Sequence, residues 1–177
     1  YPLLKVGVTT GNTLDIVRAI EENRLDVGLV TLPVSGRALD VMPVMNEEFV
    51  FIVSQEQPGP WDLLTTEVLH AQPLIAFESG SGTRALIDGW FEACGIAIAP
   101  VMQLGSIEAI KRMVRAGLGY SIVPRMAVEN LADCEGLSVH SLTPVLQRQL
   151  AVVMRQDKIL SKEISAIIRM LQNKPLV

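Results

Sequence analysis

Three small hydroxyl residues, Ser79, Ser81 and Thr83, alternate with Gly80 and Gly82 directly ahead of an apolar run with helical spacing. A turn so flexible and polar suits three kinds of chemistry: a nucleophile, a phosphate cradle, or a helix N-terminus that takes an anion. The serines do not fit the nucleophile pattern G-x-S-x-G. The phosphate-loop pattern needs a four-residue spacer and a Lys, and both are missing. The two histidines, His70 and His140, have no nucleophile or carboxylate at a telling spacing, so a structural or surface role is expected for each. Cys94 and Cys134 lack metal-ligand spacing and read as ordinary small residues of a reducing compartment. No group of His, Cys, Asp and Glu suggests a metal. The expectation is therefore no catalysis, no metal and no cofactor.

What remains is binding. Turns that lead from strand to helix in open α/β sheets lie at the carboxyl ends of strands, where ligands settle. The helix N-termini there offer free N–H groups and a partial positive charge. Several such turns carry polar residues: Asn12 and Thr13, Thr31, the run Ser79, Gly80, Ser81 and Thr83, and Ser106 after Gly105. Each alone reads first as a helix cap. Together they point to a pocket for a small, polar or anionic ligand. Arg84 has two open readings, a clamp on a ligand carboxylate or a partner for a carboxylate of its own lobe.

The elements that would position these turns alternate along the chain. Residues 3–10 read as a strand, and 13–24 as a helix with apolar positions at Leu14, Val17 and Ile20 and a cap at Asn12 or Thr13. Residues 25–31 read as a second strand, so a parallel β-α-β unit is expected. A strand follows over 47–54, then a Pro/Gly breaker at 57–61. Beyond it come a helix over 61–71, a strand over 73–78 and a helix from Thr83 to Gly95. Next come a strand before Ser106, a helix over 107–117 and a strand over 119–124. A helix over 125–133, strands near 137–142 and 148–155, and a final amphipathic helix complete the chain. This order predicts an α/β protein with mostly parallel sheets. About 55 residues before the breaker are a thin basis for a separate core. The last strand and helix are therefore expected to return to the first lobe. The division expected is 1–50 with 152–177 as lobe I and 51–151 as lobe II, with two crossing segments and a ligand cleft.

A net charge of −4 with scattered basic residues argues against nucleic-acid binding by this segment. The densest basic group, residues 110–115, has the spacing of a solvated helix face. No apolar run approaches the roughly 18 residues of a membrane span. The opening residues lack an initiator Met and enter a strand-like run at once, so a piece of a longer protein is expected.

Four segments carry a family resemblance: YP ahead of a strand-like run, GNTLDIVRAIEENRLDVGLV, PLIAFESGSGTRALIDGWF and, most specifically, SIEAIKRMVRAGLGYSIVP. Through them nearly the whole chain resembles the effector-binding domain of LysR-type transcriptional regulators. The resemblance implies a type II periplasmic-binding-protein fold, two Rossmann-like lobes about a cleft. It also implies a cytoplasmic bacterial regulator that senses a small metabolite, often a carboxylate, and relays this to DNA. By position it places ligand contacts at Asn12, Thr13 and Thr31 in lobe I. In lobe II it places them at Ser79, Gly80, Ser81 and Thr83, with Ser106 near the rim. It implies a homodimer or tetramer, with residues 107–117 and 3–9 as candidate contacts, and no membrane partner. DNA would be reached through a winged helix-turn-helix upstream of this sequence. The family's first strand and helix would also lie upstream, leaving lobe I incomplete here. A solute-binding protein of a transport system with the same fold is the competing reading.

Overall fold

The computed structural model describes residues 5–36, 38–61 and 64–172, with the side chain of Gln172 set aside. The chain divides into two compact units, Tyr1–Asn46 with Arg148–Val177, and Glu47–Gln147.

The first unit is built on a period-2 pattern in its last strand. Helix α1 (Thr13–Glu21) begins at Asn12, whose Oδ1 accepts from the Asp15 amide at 2.9 Å. Strand β1 (Gly28–Thr31) pairs antiparallel with β7 (Gln147–Arg155), Gly28 opposite Val153. β7 lies between β1 and the long strand β2 (Leu39–Ser54) in the strand order. Successive β7 side chains serve opposite faces. Val153 joins Ile16, Val17 and Ile20 of α1, while Val152 and Met154 meet Ile168 of the final helix α6 (Lys162–Gln172). α1 comes so close to β1 that a Cβ on Gly28 would stand 2.6 Å from Ile16 Cγ2. Glycine is required there for space.

The second unit holds the larger core. β2 runs antiparallel to β5 (Ser121–Pro124) on one side and to β6 (Leu137–Ser141) on the other. Strand β3 (Ile75–Phe77) pairs parallel with β4 (Met102–Leu104), and a parallel bridge between Leu74 and Tyr120 joins this pair to β5. Helices α2 (Thr66–His70), α3 (Gly82–Ala93) and α4 (Ile107–Arg115) pack around it. Five consecutive β2 residues, from Phe49 to Val53, have no exposed surface. A strand covered on both faces reads as an unbroken apolar run, and this one does. Phe51 stacks on Tyr120 with ring centroids 5.0 Å apart and touches Trp61 at 5.6 Å.

Four expectations need correction. Residues 5–10 form no strand, and Val6 and Val8 are 62% and 85% exposed. β-branched composition does not hold a strand without a pairing partner. The start of that expected strand, 3–4, lies outside the described residues. The sheets are also less parallel than expected: β1–β7, β2–β5 and β2–β6 are antiparallel, because strand composition does not fix the sense of pairing. β2 starts eight residues before the expected strand, taking in part of the supposed loop. The helix expected over 125–133 is broken into a 3-10 turn (Arg125–Val128) and a short α5 (Leu131–Cys134), with Asn130 extended between them.

Arg125 ties the end of β5 to β2, with Nε and Nη2 donating to the two Glu48 oxygens at 3.0 and 2.9 Å and Nη2 donating to Ser141 Oγ. Hydrogen bonds and the charge of Arg125 hold the Glu48 carboxyl below its ordinary value against partial desolvation. A depressed folded-state pKa stabilises above the ordinary glutamate value, and that contribution fades as pH falls through the folded one. Urea unfolding of Glu48→Gln should therefore show a shallower loss of stability below about pH 4.3 than the parent protein. Phe51→Ala should cost about 3–5 kcal/mol in the same experiment at neutral pH.

Candidate functional site

The second unit brings two of the polar turns together. β3 and β4 are parallel and in register, with Phe77 opposite Leu104, so both chains leave the sheet at the same end. The Glu78 amide donates to the Leu104 carbonyl at 3.1 Å and carries the pairing one residue further. One chain then enters α3 and the other α4. Two helix N-termini thus stand at the carboxyl end of one strand pair, where partial positive charge and first-turn N–H groups favour an anion.

Each turn is shaped by its own residues. Gly80 has φ +88°, in the left-handed region where a side chain is strained. Ser81 is the N-cap of α3, its Oγ accepting from the Arg84 amide at 3.1 Å. Its hydroxyl proton remains able to donate. Ser79 and Gly80 are exposed, and Ser81 and Thr83 are half-buried. Ser106 caps α4 through a longer contact, Oγ to the Ala109 amide at 3.5 Å, and is exposed. Buried Lys111 anchors α4, with Nζ donating to the Ala127 carbonyl at 2.9 Å and pairing with Glu108 and Asp133.

Arg84 is tied to its own unit. Its Nε stands 2.8 Å from both Asp88 oxygens, and Nη1 donates to the Phe77 carbonyl at 3.0 Å and to Gln103 Oε1 at 3.3 Å. These bonds lock α3 to the ends of β3 and β4. Arg84 thus has a carboxylate partner within its own unit.

In the first unit Asn12 and Thr13 open α1, and Thr31 closes β1. Thr13 and Thr31 are half-buried. Asn12 is engaged twice by Asp15, its Nδ2 donating to Oδ2 at 2.7 Å as its Oδ1 accepts from the amide. Beside α1, a cavity of about 390 Å³ is lined by Thr9, Thr10, Asp15, Arg18 and Arg24 among others.

Glu78 precedes the glycine-rich turn and is not among the site residues expected above. Its carboxylate lies against Gly105, 3.0 to 3.2 Å from where a Cβ would stand. The histidines lie apart from this site's turns in the chain: His70 is exposed at the end of α2, and His140 Nε2 is 2.9 Å from Ser138 Oγ beside the Phe51 ring. Among the described residues no group of three or more His, Cys, Asp and Glu could hold a metal, and no helix is long and apolar enough to cross a membrane.

The architecture is that of the type II periplasmic-binding-protein fold, two Rossmann-like lobes joined by two crossing segments. The regulatory domain of CcmR from Synechocystis PCC6803, solved in complex with 2-PG, matches with a TM-score of 0.82 at 24% identity, over 97% of this chain and 84% of that one. The effector binding domain of QuiR in complex with shikimate matches with a TM-score of 0.73 at 21% identity, over 92% and 77%. The family profile described as the LysR substrate binding domain covers residues 1–175, and the chain belongs to that family. The HTH-type transcriptional regulator YeiE of Escherichia coli K12, itself described as uncharacterized, is 32% identical over 162 residues, 91% of this chain and 55% of that protein. The chain spans between 53% and 59% of the length of this and two other curated regulators it matches. The family is one of transcriptional regulators rather than enzymes.

Removing Arg84 has a measurable consequence. Arg84→Ala should lower stability by about 1–3 kcal/mol, since the Phe77 carbonyl and Gln103 lose a charged donor. A double-mutant cycle with Asp88→Ala, followed by urea unfolding, should give a coupling of only about 0.2–1 kcal/mol, because Asp88 is half exposed.

Proposed function

We propose that this chain is the ligand-sensing part of a cytoplasmic bacterial transcription factor, binding a small acidic metabolite and relaying its presence to a DNA-binding segment elsewhere in the protein. The paired N-termini of α3 and α4 at the end of β3–β4 carry this reading. In this proposal Ser79, Gly80, Ser81, Thr83 and Ser106 take the acidic group, through backbone N–H groups and hydroxyls. Asn12, Thr13 and Thr31 are the contacts of the first unit. Two fold neighbours solved with small ligands, 2-PG and shikimate, support this use of the fold.

The relay is a matter of differential affinity. A ligand that binds one conformational state more tightly raises that state's population, and the bias passes to whatever else distinguishes the states. The regulator works as a homodimer or tetramer. α4 is a candidate contact, with Arg112 and Arg115 exposed along it. A two-fold interface would be self-complementary.

A thermal-shift screen of small carboxylic acids, shikimate among them, should yield an acid that raises Tm. For that acid, Thr83→Val and Thr31→Val should each weaken binding roughly tenfold in calorimetry, the size of one lost hydrogen bond. Unchanged affinity in both variants would remove these residues from the site.

A further inference from the structure

Helix α3 is attached at two places. Its first turn is tied by Arg84 to the ends of β3 and β4. Its third turn carries Trp90, buried with Ile87 and Phe91 on the core face. Trp90 lies roughly 13 Å along the helix from the Ser81 cap. Its indole Nε1 donates to the Pro144 carbonyl at 2.8 Å. Pro144 belongs to the return segment, residues 142–146, between β6 and β7. This segment leads the chain into β7, which belongs to the first unit from Arg148 onward. Leu142 and Leu146 of the segment are buried in the same core as Trp90. Just before it, Ser141 Oγ accepts from Arg125 Nη2 at 3.0 Å. The Leu146 carbonyl accepts from the Phe49 amide at 2.8 Å. Phe49 lies on β2, the other stretch of chain that passes between the units. The two connecting stretches are thus bonded to each other close to the carbonyl that Trp90 holds.

We propose that Trp90 is the positioning residue through which α3 passes the state of its first turn to the return segment. The effector's use of this link rests on the reading of the α3 N-terminus as part of the effector site. A hydrogen-bonded helix moves as one body, and a close-packed interior passes displacement on because it holds little free volume. The indole N–H is a single donor of fixed direction. Rotation or sliding of α3 therefore strains or frees the Pro144 carbonyl. The Phe49 amide reports the result, because its acceptor, Leu146, is on the same segment.

Proton–nitrogen correlation spectra test this, since Trp61 and Trp90 are the two indoles of the chain. The first arm needs no ligand. Arg84→Ala releases the start of α3 and should shift both the Trp90 indole and the Phe49 amide. The same substitution made on a Trp90→Phe background should leave the Phe49 amide in place. An indole and a Phe49 amide that ignore Arg84→Ala overturn the role of Trp90, as does a Phe49 shift that survives without the indole. Should Trp90→Phe fail to fold, the indole signal of the parent and of Arg84→Ala decides. The second arm is a titration with glycerate, a small hydroxy acid. The Thr83 amide and the Trp90 indole should shift on one saturation curve. A Thr83 shift without the indole overturns the relay and leaves the site reading standing. Saturable binding that moves neither removes the site reading, and the effector's use of Trp90 with it.

Discussion

The parallel pairing of β3 with β4 is the constraint on which the proposed site depends. Three residue pairs, ending at Phe77 and Leu104, decide that two chains leave the sheet side by side. Parallel strands place both carboxyl ends together, and a helix that follows each strand then presents its N-terminus at the same edge. With an antiparallel pair, one of these helices would start at the far end of the sheet. Neither turn could make a site alone, since a helix N-terminus by itself is ordinary. The juxtaposition gives the turns their meaning.

The rest of the second unit holds that pairing in place. The Leu74–Tyr120 bridge fastens the pair to β5, and β5 lies on the buried stretch of β2. Phe51 and Tyr120 stack inside that layer. Arg84 then clamps α3 to the ends of both strands, and Lys111 anchors α4 from its buried face. Both cations are thus engaged within their own unit. In the proposed site, recognition then falls to backbone N–H groups and hydroxyls. Dipoles of this kind are fixed by the fold and need no reordering when a ligand arrives.

Local chemistry was legible in the sequence, and long-range pairing was not. Asn12 or Thr13, and Ser106, were readable as helix starts, because a side-chain oxygen beside a helical run caps it, and the caps are Asn12 and Ser106. Gly95 and Gly117 were readable as stops, and both have positive φ. The strand sense was not readable, because composition does not say which neighbour a strand meets. Residues 5–10 show the same gap, with strand-like composition and no pairing. The hydrogen bond of Arg84 to Gln103, nineteen residues on, is likewise a contact that the sequence does not show. Glu78 was visible in the chain, but its contact with Gly105 exists only once β3 and β4 are side by side.

The central claim is that the adjoining N-termini of α3 and α4 receive the acidic end of the effector. Amide proton–nitrogen correlation spectra of the protein, titrated with glycerate, test this most directly. The account predicts that the largest shifts fall on the amides of Gly82, Thr83, Ile107 and Glu108, with one shared saturation curve. Saturable binding that leaves these four amides unmoved while others shift would contradict it.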